Sequence, residues 1–207
     1  MMLYNDKTEL ALWEAFISGD REAYSSLYKT YHPRLFNYGK KFVDQSELVE
    51  DCIQEVLVRI WLNRSSLAEV KNKRSYLFVS FRNNLHKSAM LHQRHSVVPH
   101  PEDYSFSMEI SVDQVMINKE RIYERHINLK QAVDRLSGRQ KEAIYFKFYE
   151  NMSYEEMAQI LHISKKATYK LVARALSELK TIYRQQDVLF NFPSSLITFL
   201  CSLPALL

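Results

Sequence analysis

Lys166, Tyr169, Lys170 and Arg174 fall on one side of a helix at about 100° per residue. Three cations and an aromatic on one face offer donors to phosphate oxygens and to base edges, which is the chemistry of duplex binding. A second stripe, Tyr76, Ser80, Asn83, Lys87, Met90 and Arg94, joins a ring and an amide to cations. That set suits a single strand, since rings stack on exposed bases and cations meet phosphates. A solvated helix face has a similar composition, so neither stripe is decisive alone. A third set, Asp51, Gln54, Glu55, Val58 and Leu62, mixes acids with aliphatics. Either a protein partner lands there, steered by charge and anchored by apolar groups, or the acids merely complement a helix dipole. The chain has no Gly-rich phosphate loop, no zinc-ligand spacing and no nucleophile–base signature, so no enzyme and no cofactor are expected.

The first stripe needs a helix held at a fixed angle, and Ser153 to Lys180 can supply it. Ser153 and Glu156 form an S-x-x-E capping box. Met157, Ala158, Ile160 and Leu161 follow as a short apolar face. His162-Ile163-Ser164 is a tight turn in which a non-glycine residue, His162, occupies the position that often carries Gly. Ser164 can cap a second helix from Lys165, with Thr168, Leu171, Val172, Ala175, Leu179 and Ile182 facing inward. Two helices so joined form a helix-turn-helix, whose second helix can enter a major groove.

The other two sets lie on earlier helices. Ser46 to Leu62 is predicted helical, with Val49, Cys52, Ile53, Val56, Leu57 and Ile60 as its core face. Asn63 to Arg74 reads as a polar, basic loop containing Arg64 and Lys73. Ser75 to about Arg94 is the next helix, with Phe78, Phe81, Leu85 and Ala89 inward. Before these, Leu10 to Ser18 forms a short helix closed by Gly19, and Asp20 caps another through Ala23, Leu27, Tyr31, Leu35 and Tyr38. Pro33 is expected to kink or split that helix. Toward the C-terminus, Glu120 to Arg135 is helical, and a Ser137/Gln140 box starts a helix with Ala143, Ile144 and Phe148 inward.

Composition agrees with this inventory. With Gly 3 and Pro 5 in 207 residues, sheets with tight turns are disfavoured and an all-α protein is expected. The hydrophobic fraction of 46% suffices for real cores. The net charge of +4 is unevenly spread. Asn63 to His95 holds seven Lys/Arg against Glu69 alone, and Ser164 to Arg184 holds six against Glu178 alone. Asp44 to Glu55 carries five acids and no base. Two basic patches and one acidic patch imply a polyanion and a separate protein contact. Two cysteines, Cys52 and Cys201, make no disulfide framework, and MMLYNDKTEL has no apolar core of a signal peptide, so a reducing cytoplasm is expected. His92, His95 and His100 cluster without further ligands, so no metal site is expected.

Two small helical domains joined by a flexible linker follow: residues 1–95, a linker at 96–119, and 120–187 with the helix-turn-helix. The linker carries Pro99, Pro101, several Ser and an excess of acids. Residues 188–207 are uncharged; they are long enough to span a bilayer if helical, or could dock on their own domain or on a protein partner.

YSSLYKTYHPRLFNYGKKF, LVEDCIQEVLVRIW and RSYLFVSFRNNLHK together resemble the promoter-melting domain of bacterial sigma factors. LSGRQKEAIYFKFYENMSYEEMAQILHISKKATYKLVARAL resembles their second DNA-reading domain, and the two-domain layout resembles the extracytoplasmic-function group. The resemblance implies a non-enzymatic subunit that binds core RNA polymerase and promoter DNA, takes no small-molecule substrate, and has an anti-sigma factor as a further candidate partner. It gives Asp51, Gln54 and Glu55, with Val58 and Leu62 beside them, to the polymerase clamp helices. It gives Asn83, with Tyr76, Ser80, Lys87 and Arg94, to the −10 element. Arg64 and Lys73 join that set through the loop that captures a flipped base. Lys165, Lys166, Tyr169, Lys170 and Arg174 fall where the family reads the −35 element. Acids of the linker would lie near the RNA exit path, unless the segment is only a tether. A stand-alone helix-turn-helix regulator is the alternative.

Overall fold

The computed structural model describes residues 6–92, 106–108 and 131–184. All regular structure among them is helical. The chain divides into two compact units, Met1–Val98 and Pro99–Leu207. No described helix is long and apolar enough to cross a membrane. The apolar stretch 188–207 lies outside the described residues.

The first unit contains α1 (Asp6–Ile17), α2 (Arg21–Gly39), α3 (Ser46–Leu62) and α4 (Lys73–His92). Gly19 adopts φ +93°, open to glycine at little cost, and turns the chain out of α1. Asp20 caps α2, its Oδ1 accepting from the backbone N–H of Glu22 at 2.7 Å and of Ala23 at 3.2 Å. Pro33 does not split α2, which runs unbroken to Gly39. Tyr31 and Leu35 are buried on either side of the proline, and that packing outweighs one missing hydrogen bond.

Helix α3 spans the expected residues and buries the expected face, Val49, Cys52, Ile53, Val56, Leu57 and Ile60. Each such side chain contributes roughly 1.5–3 kcal/mol when removed from water. Burial also pushes the Cys52 thiol pKa up. The basic segment after α3 is more ordered than a loop. Arg64–Leu67 forms a 3-10 turn that buries Leu67, and α4 then opens at Lys73. Helix α4 packs through Leu77, Phe78, Phe81 and Leu85, whereas Ala89 is only half-buried.

Two contacts set how these helices cross. Gly39 lies where α2 meets both neighbours; a Cβ there would sit 2.7 Å from Val49 Cγ1 and 2.9 Å from Phe81 Cζ. His32 Nε2 lies 2.7 Å from Glu50 Oε2, joining α2 to α3.

The second unit shows helical residues 131–135, α5 (Gly138–Ile144), α6 (Tyr154–Leu161) and α7 (Lys165–Arg184). Both capping boxes form, Ser137 with Gln140 and Ser153 with Glu156. After Ile144 the helix widens into a π turn, Tyr145–Tyr149, closed by Glu150 N–H to the Tyr145 carbonyl at 3.1 Å. The extra residue per turn shifts the inward face, so Phe146 is fully buried while Phe148, expected inward, is half-buried. Phe106, in the stretch read as linker, is buried edge-on against Tyr145, with ring centroids 5.7 Å apart.

Between α6 and α7, His162 takes φ +53°. The Ile163 N–H reaches the Ala158 carbonyl at 3.1 Å and the His162 N–H reaches Gln159 at 3.4 Å, a Schellman closure achieved without glycine. Ser164 caps α7 through the Ala167 N–H at 3.1 Å. Thr168, Val172, Ala175, Leu176 and Leu179 form the buried side of α7, Leu176 being an addition to the expected set and Leu171 only half-buried.

Candidate nucleic-acid interface

In the second unit, Lys165, Lys166, Tyr169, Lys170 and Arg174 are all exposed on α7, opposite its buried stripe. The capped turn aims this face, because it fixes where α7 leaves α6. Two of the five are tied back to α6. The Lys165 ammonium pairs with Glu155, and that hydrogen bond holds the Glu155 carboxyl below, and the Lys165 ammonium above, their usual pKa ranges. Tyr169, 48% exposed, stacks on the ring of buried Tyr154. The Lys147 ammonium sits 4.7 Å from the centre of the Tyr154 ring, a cation–π contact. Lys166, Lys170 and Arg174 present their charges outward.

In the first unit, the stripe along α4 proves to be one wall of a cleft. Tyr76, Ser80, Asn83 and Lys87 face Val56, Arg59 and Ile60 of α3 across about 330 Å³, with Asn84 completing the lining. Its amides, hydroxyl and two cations can meet a nucleotide by hydrogen bonds and charge, and Tyr76 supplies a ring on which a base can stack. Met90 is exposed further along the same helix, and Arg94 lies outside the described residues. Lys73 is half-buried at the start of α4. Arg64 is turned inward, its guanidinium 4.6 Å from the centre of the Trp61 ring and its Nη1 donating to the Trp61 carbonyl at 3.0 Å.

Adjacent asparagines on α4 behave differently. Asn83 is exposed at the cleft. Asn84 is buried and donates to Glu55 Oε2 at 3.0 Å and to the Cys52 carbonyl at 3.4 Å, tying α4 to α3. Sequence reading passed over both Asn84 and Arg59. Arg59 reaches the cleft only because α3 and α4 cross as they do, and its one legible signal was its position one turn after Glu55.

The third set clusters on the outer side of α3. Asp51, Gln54 and Glu55 are exposed beside Val58 and Leu62, which leave 51% and 69% of their surface open. Two aliphatics so exposed among acids form a mixed patch of the composition found at protein contacts. Among the described residues no group of His, Cys, Asp and Glu could hold a metal ion; His95 and His100 lie outside them, as does the side chain of His92.

Two family profiles match the chain, the one described as Sigma-70 region 2 over residues 27–94 and the one described as Sigma-70, region 4 over residues 126–179. No curated protein matches. Among solved structures, CnrH in complex with the cytosolic domain of CnrY is 17% identical at a TM-score of 0.56, covering 86% of this chain and 97% of that one. The sigma factor RpoE in complex with the anti-sigma factor NepR from Bartonella quintana is 20% identical at 0.54, covering 80% and 98%. The PhyRSL–NepR complex from Sphingomonas sp. Fr1 is 13% identical at 0.52, covering 80% and 92%. At these identities the solved structures establish a shared fold.

Proposed function

Since the chain belongs to the sigma-70 family, with the paired region 2 and region 4 of the extracytoplasmic-function group, and so serves transcription initiation, we propose how its residues divide that work. Asp51, Gln54, Glu55, Val58 and Leu62 bind core RNA polymerase. The α3–α4 cleft, with Tyr76, Ser80, Asn83 and Lys87, takes the opened −10 strand, and Arg64, Lys73 and Arg94 also contact the −10 DNA. Lys166, Lys170 and Arg174 read the −35 duplex, with Tyr169 and Lys165 beside them.

The observation that carries this reading is the placement of two unlike surfaces on one helix pair. A cleft of about 330 Å³ lies between α3 and α4, and an acidic, apolar-studded face covers the outside of α3. A subunit that must hold an enzyme and a strand together needs both. Unstacking a base costs a few kcal/mol per step, which captured bases and phosphate contacts must offset. The chain contributes specificity, and the polymerase core performs the chemistry in the cytoplasm. Residues 1–95 and 120–187 act as the two DNA-contacting modules. An anti-sigma factor is a further partner, as RpoE and CnrH were each solved with a protein bound.

Retention of core polymerase by the immobilised protein tests the proposal. The wild-type chain should retain it, and Asp51→Ala/Gln54→Ala should lose most of it. Equal retention by the double variant overturns the assignment of that face. A wild-type chain that binds duplex but no polymerase would instead be a stand-alone helix-turn-helix regulator.

A further inference from the structure

We propose that Arg59 is a strand-binding residue of the α3–α4 cleft and that Glu55 restrains it until core polymerase engages the Glu55 carboxylate. The inference rests on the polymerase and strand assignments above and names a device that links them. Glu55 and Arg59 lie one turn apart on α3 and form an ion pair through Glu55 Oε1. The other carboxylate oxygen, Oε2, accepts from Asn84 Nδ2 of α4 at 3.0 Å. Both donors, Arg59 and Asn84, line the cleft together with Tyr76, Ser80, Asn83 and Lys87. One carboxylate of the outer acidic face is thus bonded to two residues of the strand cleft.

The consequence is electrostatic. A phosphate approaching the mouth of the cleft meets Lys87 and an Arg59–Glu55 pair whose charges cancel. If a cationic group of the polymerase takes the carboxylate, the guanidinium recovers its uncompensated charge and can turn to the phosphate. The exchange is cheap, because the Arg59 and Glu55 side chains are 57% and 56% exposed and such a pair is weak in water. Asn84 plays the opposite part. It is buried and also held by the Cys52 carbonyl, so it keeps Glu55 poised at the rim while Arg59 comes and goes. A guanidinium also suits phosphate better than an ammonium would, through paired N–H donors.

The test uses the full chain without polymerase and a fluorescent single-stranded oligonucleotide, with affinity measured across a salt series. Glu55→Gln keeps an acceptor for Asn84 and removes the charge. It should bind the strand roughly two- to fivefold more tightly, and the slope of log K against log salt should steepen by about 0.7, the value for one added phosphate contact on a single strand. In the Glu55→Gln/Arg59→Ala double variant both gains should vanish. Unchanged affinity for Glu55→Gln, or a gain that survives in the double variant, overturns the proposal. The polymerase assignment fails separately, through retention by Asp51→Ala/Gln54→Ala. A melting curve for each variant, expected to match the parent, confirms that the exposed substitutions leave the fold intact.

Discussion

Tyr154 and Tyr169 lie ring on ring, with centroids 3.6 Å apart and planes inclined by 20°. The first belongs to the supporting helix of the helix-turn-helix and the second to α7, the helix proposed to read the −35 duplex. Tyr154 is buried, and burial raises the pKa of its phenol. One face of Tyr169 is therefore committed to the protein, leaving its outer edge and hydroxyl for a duplex. The stack orients a residue that, standing alone, would be a mobile exposed ring.

A double-mutant cycle on this pair should reveal that orientation. Tyr154→Leu and Tyr169→Leu should each destabilise the protein, with a coupling energy of about 0.5–1.5 kcal/mol between them. Urea unfolding of the four proteins gives the value. Strict additivity would mean that the two rings do no more than cover surface.

Lys170→Ala and Arg174→Ala should weaken binding to an upstream-element duplex while leaving polymerase retention intact. Each removes one cation, so the salt slope for duplex binding should fall by about 0.9 per substitution. Normal transcription from a two-element promoter by both variants would remove these residues from the −35 contact.

The neighbouring asparagines should part company. Asn84→Ala deletes a buried donor shared by the Cys52 carbonyl and Glu55, and should cost roughly 1–3 kcal/mol of stability. Asn83→Ala, on the exposed side, should cost less stability than Asn84→Ala yet impair opening of the downstream element. Permanganate footprinting of the polymerase complex reports the second effect; a footprint matching the parent would contradict it.

Gly39→Ala should destabilise the first unit by about 1–3 kcal/mol, because its methyl would meet Val49 and Phe81 at distances no relaxed side chain occupies. Thermal unfolding measures the loss. A neutral result would show that α2 can slide away from α3 and α4 more easily than their packing implies.

The sequence by itself determined the described helices to within a few residues, their caps and the inward face of α3. These are local matters: Ser153 and Glu156 bond each other's backbone three residues apart, and Val49 to Ile60 follow a period set by helix geometry. The outward stripes were legible for the same reason, as the complement of a buried face. Only tertiary structure decided that Asn84 ties α4 to α3, that Arg59 lines the cleft, that Arg64 folds onto Trp61, and that Tyr169 is stacked from behind. The widening at Tyr145 likewise departs from the regular period that put Phe148 inward with Ala143 and Ile144. Periodicity states which side of a helix a residue occupies. Where that side ends up depends on how helices cross, and the crossing is set by side chains far apart in the chain, as Gly39, Val49 and Phe81 are.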